Sequence, residues 1–114
     1  MNAAQIGRIL VALFLVICIL VHVVGLVTPV SDETLLSHLV HMASYGMCLA
    51  AFWWSFSMRI PVYLVGAVYP VYFHGQCLLH TWTAAHRINV ICLLVVVVLP
   101  LTAIWMFYQH RQQA

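Results

Sequence analysis

"RILVALFLVICILVHVVGLV", residues 8–27, is the stretch whose reading decides the fold. After Arg8 it carries no charge, and a single histidine interrupts the apolar run. A helix of about 20 mostly apolar residues is long enough to cross the hydrocarbon core of a bilayer. A secretory signal peptide is the competing reading. Its apolar core is shorter, about 7–15 residues, and a small-residue cleavage site follows it. The run here is longer, and the following "VTPVSDE" offers no such site, so the sequence predicts a retained membrane span.

The rest of the chain supports that reading. Of 114 residues, 66% are hydrophobic and 5% charged, with a mean hydropathy of +1.08. A soluble domain carries about 25% charged residues, so this surface must face largely lipid. The net charge of +2 is too small for nucleic-acid binding. No basic stripe or polybasic run is present, and the sequence alone offers nothing for lipid-headgroup recognition. Cys18, Cys48, Cys77 and Cys92 form no C-x-x-C pair and lie in apolar runs, where cysteine acts as a small hydrophobe.

Working outward from the first span, "TPVSDE" is a loop. Pro29 cannot continue the helical hydrogen bonding, Ser31 or Asp32 can cap the next helix, and Glu33 suits its positive N-terminus. Further spans are predicted at 34–56, 61–79 and 88–108. "SMRIP" forms the turn between the second and third, and "HTWTAAHR" the loop between the third and fourth. "QHRQQA" is a polar tail. Pro70 is expected to kink the third span. The expected fold is all-α: one integral membrane domain over residues 1–114, a four-helix transmembrane bundle with antiparallel neighbours and short loops.

An even number of spans puts both termini on one side. Arg8, Arg59 and Arg111 then share a side, opposite Arg87, Asp32 and Glu33. The positive-inside rule favours N-in, C-in. Trp53, Trp54, Trp82 and Trp105 fall near span ends, as an interfacial aromatic belt would.

On this topology every histidine except His110 falls towards the outer side: His22, His38, His41, His74, His80 and His86. His38, His41 and Tyr45 share one helical face. Tyr69, Tyr72 and Gln76 form a second polar stripe on the third span, with His74 off its centre. Polar groups facing lipid are costly, so these faces are expected to turn inward and form a polar pocket. Three chemistries use such a cluster. His38 and His41 could hold a transition metal. His22 or His41 with His74 could ligate haem b, with Gly25, Gly46, Gly66 and Gly75 admitting the macrocycle. Histidine could also handle protons or a quinone. Interhelical hydrogen bonding as packing glue is the plain alternative, and His80 and His86 read as solvated loop residues. A Ser37–His41 dyad has the right spacing for hydrolysis, but no G-x-S-x-G motif accompanies it. The two acids read as loop residues, which argues against proton-coupled transport.

"LVTPVSDETLLSHLVHMASYGMCLA", with the span before it, resembles the VanZ-like family of small bacterial membrane proteins. "GLVTP" looks like that family's exit from the first helix. His41, Tyr45 and Gly46 match its H-x-x-x-Y-G positions, while His38 and Ser37 stand at its lysine and aspartate positions. The second half departs: Gln76 matches a glutamine, but Phe73 stands where the family has an acid, and no aspartate lies between Arg87 and Asn89. The resemblance implies a bacterial inner-membrane protein without established chemistry. The expectation is a non-catalytic helper or interaction subunit, working with the lipid bilayer and other membrane subunits. The alternative is a histidine-ligated haem b or metal-binding subunit of a membrane redox complex.

Overall fold

The computed structural model describes residues 1–28 and 33–113. They form four helices, α1 (Ala3–Val27), α2 (Leu35–Trp53), α3 (Arg59–Ala85) and α4 (Val90–Gln112), with no strand among the described residues. All four are long and apolar enough to cross a membrane. Successive helices pack on one another, α1 on α2, α2 on α3 and α3 on α4. These features are compatible with a small multi-pass membrane protein.

The helix ends are set by local chemistry. α1 begins before the expected span because Asn2 and Gln5 form a reciprocal capping box, each side chain accepting the other's amide at 2.9 Å. The cap of α2 is Thr34, whose hydroxyl accepts from the Ser37 amide at 3.1 Å, and not Ser31 or Asp32. Those two residues, with Pro29 and its expected helix-ending role, lie outside the described residues. Trp54 turns extended, so α2 stops short of the expected residue 56.

Helix α3 starts at Arg59, which places Pro61 in its first turn, where a missing N–H costs nothing. It also runs on through most of "HTWTAAHR", the expected loop. The Thr81 and Thr83 hydroxyls donate back to the carbonyls of Leu78 and Leu79 at 3.0 Å, so they are satisfied within the helix. The stop comes at His86, in the left-handed region with φ 52° and ψ 38°. Asn89 then caps α4 by accepting the amides of Ile91 and Cys92. Pro70 lies inside α3 and Pro100 inside α4.

The apolar core joins Leu15 of α1, Tyr45, Cys48, Ala51 and Phe52 of α2, Tyr63 and Ala67 of α3, and Val95, Leu99 and Met106 of α4. Tyr63 ties α3 to α4 by donating to the Leu99 carbonyl at 3.0 Å. Gly66 lets α2 and α3 approach closely: a Cβ there would meet the Ser44 carbonyl oxygen and Met47 Cβ, each at 2.9 Å. Outside this core the helices present large apolar side chains, among them Leu10, Leu13, Ile17, Val68, Leu101 and Ile104.

The bundle has two chemically different ends. At one, Arg8 donates to the Trp53 carbonyl at 2.6 Å and Arg59 to the Phe52 carbonyl at 3.3 Å. The start of α1, the α2–α3 turn and the end of α4 meet there. His22, His38, His41 and His74 gather at the other, while His110 lies at the arginine end.

Candidate metal centre

Three helices contribute imidazoles to one buried cluster at the histidine end. α1 supplies His22, α2 supplies His38 and His41, and α3 supplies His74. None of the four is more than 9% exposed, and His41 is fully buried. The His22 and His41 rings stack with centroids 4.3 Å apart and 9° between planes. His41 and His74 stand 5.2 Å apart. Tyr45, one turn below His41, stacks beneath both His22 and His41 at 5.8 and 5.9 Å.

Gly25 makes the cluster possible on the α1 side. A Cβ there would lie 2.5 Å from His38 Cε1, so the imidazole occupies the space that a side chain would take.

The cluster is organised around Glu33. Its Oε2 lies 2.9 Å from His41 Nδ1 and 3.3 Å from the Nδ1 atoms of both His22 and His38. Its side chain is only 10% exposed. The sequence reading left Glu33 as a loop acid at a helix N-terminus. The available signal was spacing: Glu33, Ser37 and His41 recur every four residues, which puts them on one face once α2 forms. Ser37 extends the network, donating to Glu33 at 3.1 Å and accepting from the Tyr69 hydroxyl at 2.9 Å.

These contacts fix the state of His41. Its Nδ1 faces two groups that only accept, the Glu33 carboxylate at 2.9 Å and the Ser37 carbonyl at 3.0 Å. Nδ1 therefore carries a hydrogen, and in the neutral ring Nε2 presents a lone pair. That Nε2 is buried with no hydrogen-bond partner among the described residues, as is His74 Nε2. His74 Nδ1 pairs with Cys92 Sγ at 3.4 Å. A buried acceptor left unmade costs about 1–3 kcal/mol, a cost that a ligand on His41 Nε2 would remove.

His22, His41 and His74 each place one ligating atom within 4.8 Å of the others. A tetrahedral zinc ion with bonds of about 2.0–2.1 Å holds its ligand atoms roughly 3.3 Å apart. Closing the set around an ion therefore needs the ligand atoms to draw together and the stacked His22 and His41 rings to turn out of parallel. Behind the ligands, Glu33 accepts from the far side of His41 and faces His22. This is the carboxylate–histidine arrangement that orients imidazoles towards a metal. Glu33 with His22 and His38 forms a second group of three potential ligands that shares His22.

The structure sorts the sequence candidates. His22, His38, His41 and His74 converge, and Tyr45 and Tyr69 line the cluster, Tyr69 with its ring 4.8 Å from His41. Tyr72 does not: it is 65% exposed, and Gln76 is exposed too. The inward face of α3 runs through Tyr63, Gly66, Ala67, Pro70 and His74, so His74 is central and the Tyr72–Gln76 stripe points away. Phe73 packs its ring edge-on to His41 at 4.7 Å. His80, His86 and His110 are exposed.

For the expected haem pairing with His74, the His41 and His74 ring centroids stand 5.2 Å apart in this packing, closer than two imidazoles on opposite faces of one macrocycle would lie. The space at Gly25 holds His38 and that at Gly66 holds α2, while an added Cβ at Gly46 or Gly75 would meet nothing within 4 Å. The Ser37–His41 pair is likewise no hydrolytic dyad. Its Oγ to Nδ1 distance is 3.5 Å, and Nδ1 already faces closer acceptors. The four cysteines are free thiols.

No family model, curated protein or solved structure matches this chain.

Proposed function

We propose that this chain is a small multi-pass membrane protein that holds a divalent transition-metal ion on His22, His41 and His74. The observation that carries this reading is the convergence of three imidazoles from three helices, two with buried and unpartnered Nε2 atoms. Neutral imidazoles suit zinc, copper, nickel or iron better than magnesium or calcium. Three protein ligands leave a fourth position open for water or an exchanging ligand.

The orientation we propose is N-in and C-in, on the strength of the arginine distribution.

Cobalt(II) titration of the purified, chelator-treated protein tests the site. Visible d–d bands of a low-symmetry Co(II) centre are expected, saturating at one ion per chain. His74→Ala should abolish them, while exposed His80→Ala should not. Absence of the bands in wild type, or an unchanged titration in a helical, monodisperse His74→Ala protein, overturns the reading.

A further inference from the structure

At the arginine end, α1 and α4 are not among the helix pairs that pack extensively, and a cleft of about 360 Å³ opens between them. Clefts of roughly 300–1,000 Å³ are the usual size for small-molecule ligands. Val11 and Gly7 on α1 and Val98 and Leu101 on α4 line its apolar part. It is continuous, through Arg8, Phe52 and Trp105, with a polar groove that adds Arg59, Ser55 and Gln109. One end of the combined groove is therefore greasy, and the other carries two guanidinium groups and the amides of Gln109 and Gln113.

The charge there is unbalanced. The only acids in the chain are Asp32 and Glu33, adjacent in sequence, and Glu33 lies at the opposite end. Each arginine donates through Nη2 to a carbonyl at the C-terminal end of α2. A guanidinium has five N–H donors in a fixed fork, so those bonds leave most of its capacity unused. Arg59 Nε is buried without a hydrogen-bond partner among the described residues. Arg8 also lies over the Trp53 ring, 4.5 Å from its centroid, which holds the guanidinium in place at the groove.

We propose that this groove binds one anionic phospholipid, with an acyl chain along the α1–α4 cleft and the phosphate on Arg8 and Arg59. A phosphate oxygen pair matches the guanidinium fork, and basic pockets between membrane helices are where acidic headgroups dock. The two arginines come from different helices, so no run of basic residues announces the site in the sequence. The inference is independent of the metal centre.

The test is native mass spectrometry of the delipidated full chain with phosphatidylglycerol or phosphatidylcholine of identical acyl chains, and separately with inorganic phosphate. One phosphatidylglycerol should be retained with a preference of about tenfold or more over phosphatidylcholine. Arg8→Gln with Arg59→Gln should remove the preference while leaving weak binding of both lipids. Gly7→Leu, where an added Cβ meets nothing within 4 Å, should fill the cleft and weaken both lipids without disturbing the helices. Equal retention of the two lipids overturns the proposal. So does binding of free phosphate as tight as that of lipid, or a dimer whose formation excludes lipid from wild type.

Discussion

Glu33 shows how a single residue changes meaning between chain and fold. In sequence it sits in "SDET", beside another acid and next to a helix start, where a solvated acid is expected. In the structure its Oε2 lies within 3.3 Å of three imidazole Nδ1 atoms. Periodicity marks helix faces but does not tell whether a residue just before a helix folds back over it. If Glu33 orients the ligands, Glu33→Gln keeps hydrogen-bonding capacity but removes the carboxylate charge. Ion affinity should fall by about 10–100-fold, the usual cost of losing such a partner. The cobalt titration checks this, with helical content by circular dichroism as the control. Gly25→Ala makes a separate prediction. The new methyl drives into the His38 ring, so His38 must swing away from Glu33. Thermal stability should drop while ion binding on His22, His41 and His74 survives at reduced affinity. Loss of all binding would place His38 among the essential ligands.

At the scale of the elements, the four spans were legible because long apolar runs leave few alternatives. Their ends were harder. Polar residues in "HTWTAAHR" suggested a loop, yet the threonine hydroxyls satisfy themselves on helix carbonyls and α3 continues to Ala85. Tyr72 and Gln76 were misplaced for a related reason. Polarity alone points to the Tyr72–Gln76 stripe as the inward face of α3, whereas the small residues Gly66, Ala67 and Pro70 decide which face can approach α2. Gly66→Ala should therefore separate α2 from α3 or strain the Ser44 backbone, costing about 1–3 kcal/mol. Reversible unfolding in mixed micelles measures it. Asn89→Ala removes the side chain that accepts two amides at the start of α4. It should cost about 1 kcal/mol in the same assay.

For the whole molecule, alternation of the spans already separates His22, His38, His41 and His74 from Arg8, Arg59 and Arg111. With both termini at one end, His22, His38, His41 and His74 had to lie towards the other. Their convergence on one centre could not be read from the chain, because it depends on how α1 and α3 rotate against α2. The result is a bundle with an imidazole–carboxylate cluster at one end and an arginine-lined groove at the other. Reporter fusions at residue 1 and after residue 114 should both report the same side, the cytoplasm if the arginine bias sets orientation.

The central claim is that the histidine end holds a metal ion and no haem. It is tested most directly by metal analysis of protein extracted from membranes without chelator, alongside oxidised and dithionite-reduced absorption spectra of those membranes. The account predicts close to one transition-metal ion per chain and no Soret band that shifts on reduction. A well-folded protein with no metal, even after zinc is supplied, or a haem spectrum that tracks the protein, would contradict it.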